Sequence, residues 1–178
     1  MKTPDDPSLS ERRHPAADAQ SGTRVALLAC GERERGDDGA ALTAVASLPA
    51  AIVEIVDVVR CGQLEVDDLL AIPEGQGCVI ADAAVGVRPG EVVVASLDAI
   101  AARSARGSPR SSHTLPPDQA IALAGALRGA PPRGVFVGIG GVDFRLGAGL
   151  SPEVRAGLPG YVDALVAEIV RLAMEPEG

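Results

Sequence analysis

The sequence predicts a three-layer α/β fold, a mostly parallel twisted sheet of about five strands with helices on both faces. Three observations predict it. Short apolar runs of Val, Ile, Leu and Ala alternate with segments whose apolar residues fall at helical spacing, the pattern of repeated βα units. Hydrophobic residues make up 47% of the chain but aromatic ones only 2%, so the core has to be aliphatic, as in a parallel sheet buried under Ala-rich helices. The 178 residues fit one domain.

The elements follow in order. Residues 1–22 are polar, rich in Pro, Ser, Asp and Arg, and read as a disordered leader with His14 solvated in it. Residues 23–175 read as a single α/β domain. The apolar run at 24–29, followed by Cys30 and Gly31, is a buried strand. Asp37, Asp38 and Gly39 open an Ala-rich helix to about Leu48, and Pro49 ends it. The β-branched stretch at 52–57 is strand two, ending on Asp57. Residues 64–72 carry helical spacing, and a turn at 73–77 leads into strand three at 78–82. After the turn Arg88-Pro89-Gly90 comes strand four at 91–95. Residues 101–110 form a small, basic, Ser-rich loop. A helix is expected at 117–127 and strand five at 133–139, followed by a Gly-rich loop to Gly149. Ser151 as N-cap and Pro152 at the first helical position start the last helix. It runs to about Met174 with Leu158, Tyr161, Leu165 and Ile169 on one face. No internal repeat is visible.

Several function classes are excluded. A formal charge of −8 opposes the phosphate neutralisation on which non-specific nucleic-acid binding depends. No apolar run approaches the roughly 18 residues of a membrane span, so no membrane insertion is expected. The N-terminus lacks the apolar core of a signal peptide. Cys30, Cys61 and Cys78 stand singly, as buried thiols of a reducing compartment do. The expected location is cytoplasmic.

In an open α/β sheet, ligands sit beyond the carboxyl ends of the strands. Asp37 and Asp38 follow strand one, Asp57 and Asp82 end strands two and three, and His113 lies in the loop after strand four. Asp143 comes just past strand five. Asp38, Asp82 and His113 stand out as a set, far apart in sequence and brought together only by the fold. Two carboxylates and an imidazole can accept a borderline divalent ion such as nickel or zinc and leave coordination positions open. The plainer reading stays open: strand-end aspartates form turns or cap helices, and His113 is a surface histidine. No HExxH zinc site, GxSxG elbow or phosphate loop is present. Cys30 and Cys61 follow strands, but a thiol nucleophile needs a charged partner that the sequence does not identify.

Six segments taken in order resemble the hydrogenase-maturation protease family. The segment Gly31-Glu32-Arg33-Glu34-Arg35-Gly36-Asp37-Asp38-Gly39 is similar to the family's G-N-x-L-x-x-D-[DE]-G. Asp57-Val58-Val59-Arg60-Cys61-Gly62 corresponds to D-x-G-T-x-G. Strand three ends in Asp82-Ala83, and Ser111-Ser112-His113 matches [ST]-x-H. Val137-Gly138-Ile139 and Gly149-Leu150-Ser151-Pro152-Glu153-Val154 match the last pair of motifs. The resemblance covers residues 24–172 and implies the α/β fold already expected. It implies an endopeptidase that removes the C-terminal extension of a nickel-loaded hydrogenase large-subunit precursor. It also implies a metal site of Asp38, Asp82 and His113, the ion being the nickel of the substrate or another divalent metal. Asp37 or a ligand carboxylate would handle protons. Glu32, Arg60 and Ala41 depart from the family pattern, which bears on substrate contacts. Two other readings are a non-catalytic metal-checkpoint or assembly protein of the same fold, and an unrelated small-ligand-binding α/β domain.

Overall fold

The computed structural model describes residues 24–104 and 115–175; the leader at 1–22, and His14 with it, lie outside the described residues. Five strands form one sheet: β1 (Val25–Cys30), β2 (Val56–Cys61), β3 (Cys78–Ala84), β4 (Val92–Ser96) and β5 (Gly134–Gly140), in the order β2-β1-β3-β5-β4. β1, β2, β3 and β5 are parallel. β4 is the exception, running antiparallel to β5 at the edge. The helices are α1 (Ala40–Val45), α2 (Ala50–Val53), α3 (Val66–Leu70), α4 (Leu97–Ser104), α5 (Pro117–Arg128) and α6 (Pro152–Met174).

Side-chain alternation divides the core in two. Val25, Leu27, Ala29, Val79, Ala81, Val135, Val137 and Ile139 face α1 and α6. Ala26, Leu28, Cys30, Cys78 and Ile80 face α3, α4 and α5. A strand slipped by one residue would exchange these two sets, so burial on both faces fixes the register. Asp82 comes two residues after Ile80, which directs it to the α5 side at the carboxyl end of β3.

α6 forms as the sequence predicts. Ser151 caps it by accepting the Val154 N–H, and Tyr161, Leu165 and Ile169 are fully buried along one stripe. α5 ends at Gly129, which takes a left-handed conformation. Arg128 in its last turn donates to the Leu69 and Ile72 carbonyls, tying α5 to the end of α3.

Two elements differ from expectation. Pro49 starts a helical turn, α2, so Ile52 and Val53 are helical and strand two begins at Val56. Asp57 therefore sits near the start of β2, opposite Ala26, at the far end of the sheet from Asp82. It is held there by Arg24 Nε at 2.6 Å and by Gln76. Residues 101–104 belong to α4 rather than to a loop; the rest of that expected loop lies outside the described residues.

Candidate active site

The segment after β1 carries the first carboxylates. Gly31 has φ +102°, and a Cβ there would lie 2.0 Å from the Asp38 carbonyl oxygen. Only glycine lets the chain turn off β1 and pass beneath Asp38. Gly31 N–H donates to the Gly62 carbonyl, which anchors the turn on the end of β2. The next residue, Glu32, donates its N–H to Asp38 Oδ2 at 2.8 Å. This bond leaves Asp38 half-buried with its other oxygen free of a described hydrogen bond.

Asp37 has different surroundings. It is fully buried. Its Oδ2 accepts the N–H groups of Val142 and Asp143, and its Oδ1 accepts that of Ser151 at 2.6 Å. Its own N–H donates to the Asp143 carbonyl at 2.7 Å. Burial pushes its carboxyl up, but the backbone N–H groups of Asp143, Ser151 and Val142 outweigh that and hold it below its usual value. Gly36, at φ +59°, allows the close approach: a Cβ there would lie 2.2 Å from the Asp143 carbonyl oxygen. Asp37 thus ties the loop after β1 to the loop after β5 and to the start of α6.

Asp82 ends the polar lip. Ala83 N–H donates to its Oδ1 at 2.7 Å, and Oδ2 has no described partner. Burial raises its carboxyl to about 7; the Ala83 N–H opposes this and the charge of Asp38 adds to it. Among the described residues no ion pair reaches Asp38 or Asp82. Two carboxylates on one cleft, the charge of Asp38 adding to the cost of ionising Asp82 and no cation paired to either, suit a divalent ion. No third His, Cys, Asp or Glu joins them among the described residues. His113, expected as the third ligand, lies outside the described residues.

Asp38 and Asp82 share one broad cleft of about 1810 Å³. Its walls continue past the carboxylates over Val93 and Ala95 of β4, Phe136 of β5, and Ile121 and Leu123 of α5. Glu32 lines the same cleft on the carboxylate side. Asp143 is engaged elsewhere: hydrogen bonds from the Arg145 side chain and backbone hold its carboxyl down at about 2.

The thiols are enclosed. Cys30, Cys61 and Cys78 are buried and unpaired as disulfides. Cys30 stands in register with Cys61, and the Cys61 side chain together with burial drives its thiol well above the usual value. Burial pushes Cys78 up to about 12. Neither carries the depressed value of an activated nucleophile.

No family model matches the chain, and no curated protein does. Solved structures do. A hydrogenase maturating endopeptidase, HybD from E. coli, superposes with a TM-score of 0.64 at 19% identity, over 83% of this chain and 93% of that one. A NiFe hydrogenase maturation protease, HybD from Thermococcus kodakarensis, is 30% identical with a TM-score of 0.57, over 81% of this chain and 97% of that one. The chain belongs to the hydrogenase maturation proteases. A second member, HycI from Thermococcus kodakarensis KOD1, aligns over 85% of this chain at 22% identity and a TM-score of 0.56. The five-stranded sheet with one antiparallel edge is therefore a hydrogenase maturation protease fold. Among the described residues, no helix of this protease is long and apolar enough to cross a membrane.

Sequence reasoning missed what two residues do in this protease. Asp37 was expected at the chemistry and serves as a buried anchor. Tyr161 was expected on the buried face of α6, with no role for its hydroxyl. That hydroxyl shares its single proton between the carbonyls of Val137 at 3.1 Å and Asp82 at 3.2 Å. The signal was available, because Tyr161 is the only tyrosine of the chain and stands where an aliphatic residue would suffice.

Proposed function

We propose that this protein is the endopeptidase that removes the C-terminal extension of a nickel-loaded hydrogenase large-subunit precursor. The observation that carries the reading is the pairing of Asp38 and Asp82 on the lip of one cleft, in a chain that belongs to the maturation proteases. The size of the cleft supports a polypeptide substrate, since small-molecule sites run to about 300–1,000 Å³. The apolar walls beyond the carboxylates suit side chains of an extended peptide.

Asp38 and Asp82 would hold the divalent ion, with His113 as the third ligand. That ion is the nickel of the precursor or another divalent metal. When bound it would polarise the scissile carbonyl and favour attack by water. The chain's own residues orient the reaction. Glu32 N–H fixes Asp38 through Oδ2, and Ala83 N–H fixes Asp82 through Oδ1. The remaining oxygens, Asp38 Oδ1 and Asp82 Oδ2, are left to act at the cleft. Proton transfer falls to these cleft carboxylates rather than to Asp37, whose oxygens are engaged by three backbone N–H groups. The compartment proposed for the reaction is the cytoplasm, where unpaired thiols such as Cys30, Cys61 and Cys78 stay reduced.

The test is the intact mass of the host's nickel-hydrogenase large subunits with and without the gene. A longer precursor in the deletion strain, trimmed again by the wild-type gene but not by His113→Ala or Asp82→Ala, is the expected result. Fully trimmed subunits in the deletion strain would overturn the proposal.

A further inference from the structure

α6 touches both carboxylate-bearing segments by polar contacts. At its N-cap, the Ser151 N–H donates to Asp37 Oδ1, and Asp37 directly precedes Asp38. Three turns later, the Tyr161 hydroxyl shares its proton between the carbonyl of Asp82 and that of Val137, which stands opposite Ala81 on β5. The two contacts lie roughly 15 Å apart along the helix axis. Between them the helix is packed into the core through Val154 and Tyr161, both fully buried.

Neither contact is needed for packing alone. A phenyl ring would fill the Tyr161 site with the same apolar area. The loop after β5 and the N-terminus of α6 could close on a neutral side chain without burying a carboxylate, which is costly unless fully hydrogen-bonded. Both groups are polar devices in an otherwise aliphatic layer, and each ends on a residue of the cleft or its immediate neighbour.

We infer that Asp37 and Tyr161 are positioning residues that act through α6 to fix the separation of Asp38 and Asp82. The inference rests on the reading of those two carboxylates as the site of cleavage. α6 then links the two segments: one end sets the loop that carries Asp38, and the third turn, just past Pro159, sets the strand end that carries Asp82. Such second-tier contacts act on rate, because a displacement of about 1 Å at the reacting groups lowers turnover about 100-fold.

The experiment measures cleavage of a nickel-loaded large-subunit precursor by the full chain, as kcat and KM separately. Tyr161→Phe, Asp37→Asn, Asp82→Ala and Ile169→Val are compared at a temperature where circular dichroism shows each folded. Ile169→Val thins the same helix's core without touching either contact. In parallel, the amide signals of Glu32 and Ala83, which donate to Asp38 and Asp82, are followed by NMR. The expected result is a fall in kcat on the order of tenfold or more in Tyr161→Phe and Asp37→Asn, with KM unchanged and both amide signals displaced in each. Ile169→Val keeps wild-type kcat. Wild-type kcat and undisplaced amides in Tyr161→Phe and Asp37→Asn, with Asp82→Ala inactive, would overturn the inference while leaving the cleavage site standing. Wild-type cleavage by Asp82→Ala would remove the reading of the site itself, and the inference with it.

Discussion

The Asp37 carboxylate accepts the backbone N–H of Ser151 at 2.6 Å, across 114 positions of sequence. With the Val142 and Asp143 N–H groups on its other oxygen, both part-buried, it satisfies three backbone donors, of which the Ser151 N–H is buried. Asp37→Ala is expected to cost about 3 kcal/mol of stability, since it strands the buried Ser151 donor at the start of α6 and removes two part-buried partners with it. Urea denaturation of the full chain measures it. A loss under about 1 kcal/mol would mean that the loops close without this carboxylate.

Gly31 supplies a second prediction. Its positive φ and the 2.0 Å approach of the Asp38 carbonyl leave no room for a side chain. Gly31→Ala is expected to lower stability by about 2 kcal/mol and to lower cleavage by more than that loss explains, because the turn carries Asp38. Comparing the melting transition with turnover at a temperature where the variant is folded separates the two effects.

Asp82 shows the opposite balance between stability and function. Its carboxyl is pushed up by burial and by Asp38, so the native state bears a cost there. Asp82→Asn keeps an acceptor for the Ala83 N–H and removes the charge. The expected outcome is a melting temperature equal to or above wild type, together with a fall in cleavage of at least about 100-fold. A destabilised variant would show that the ionised group supports the fold.

The thiols test the enclosure of the sheet. A thiol raised by burial reacts only as pH climbs toward its own value, and Cys78 reaches about 12. Iodoacetamide at pH 8 is expected to leave the folded chain unmodified by intact mass and its cleavage intact. The unfolded chain takes three adducts, one for each cysteine. Rapid loss of activity on alkylation would reopen the thiol-nucleophile reading for Cys30 or Cys61.

Much of this architecture is legible in the sequence, for physical reasons that differ by element. β1 and β3 are doubly buried, so they read as continuous apolar runs. α6 carries its own cap, an N1 proline and an apolar stripe. β2 was misplaced because Ile52 and Val53 have the branching of a strand, while Pro49 sets the backbone of a helical turn before them. That shift of a few residues moved Asp57 from the carboxyl end of the sheet to the opposite one. The antiparallel direction of β4 has no local signature, since the same Val-rich run serves either direction. That Asp38 and Asp82 line one cleft was legible because the loop after a strand and the strand's carboxyl end are predictable positions. The anchoring of Asp37 was not, because its partners are backbone groups more than a hundred residues away, which no spacing rule encodes.

The Tyr161 hydroxyl bridging two strand carbonyls has one more consequence. The chain has one tyrosine and no tryptophan, so all of its long-wavelength ultraviolet emission originates in that single buried ring. Most proteins blur such a signal over several chromophores. Here the fluorescence of the native molecule reports one joint between a helix and the strand end beneath the cleft. Any metal or solvent change that loosens this joint announces itself spectroscopically, without a label.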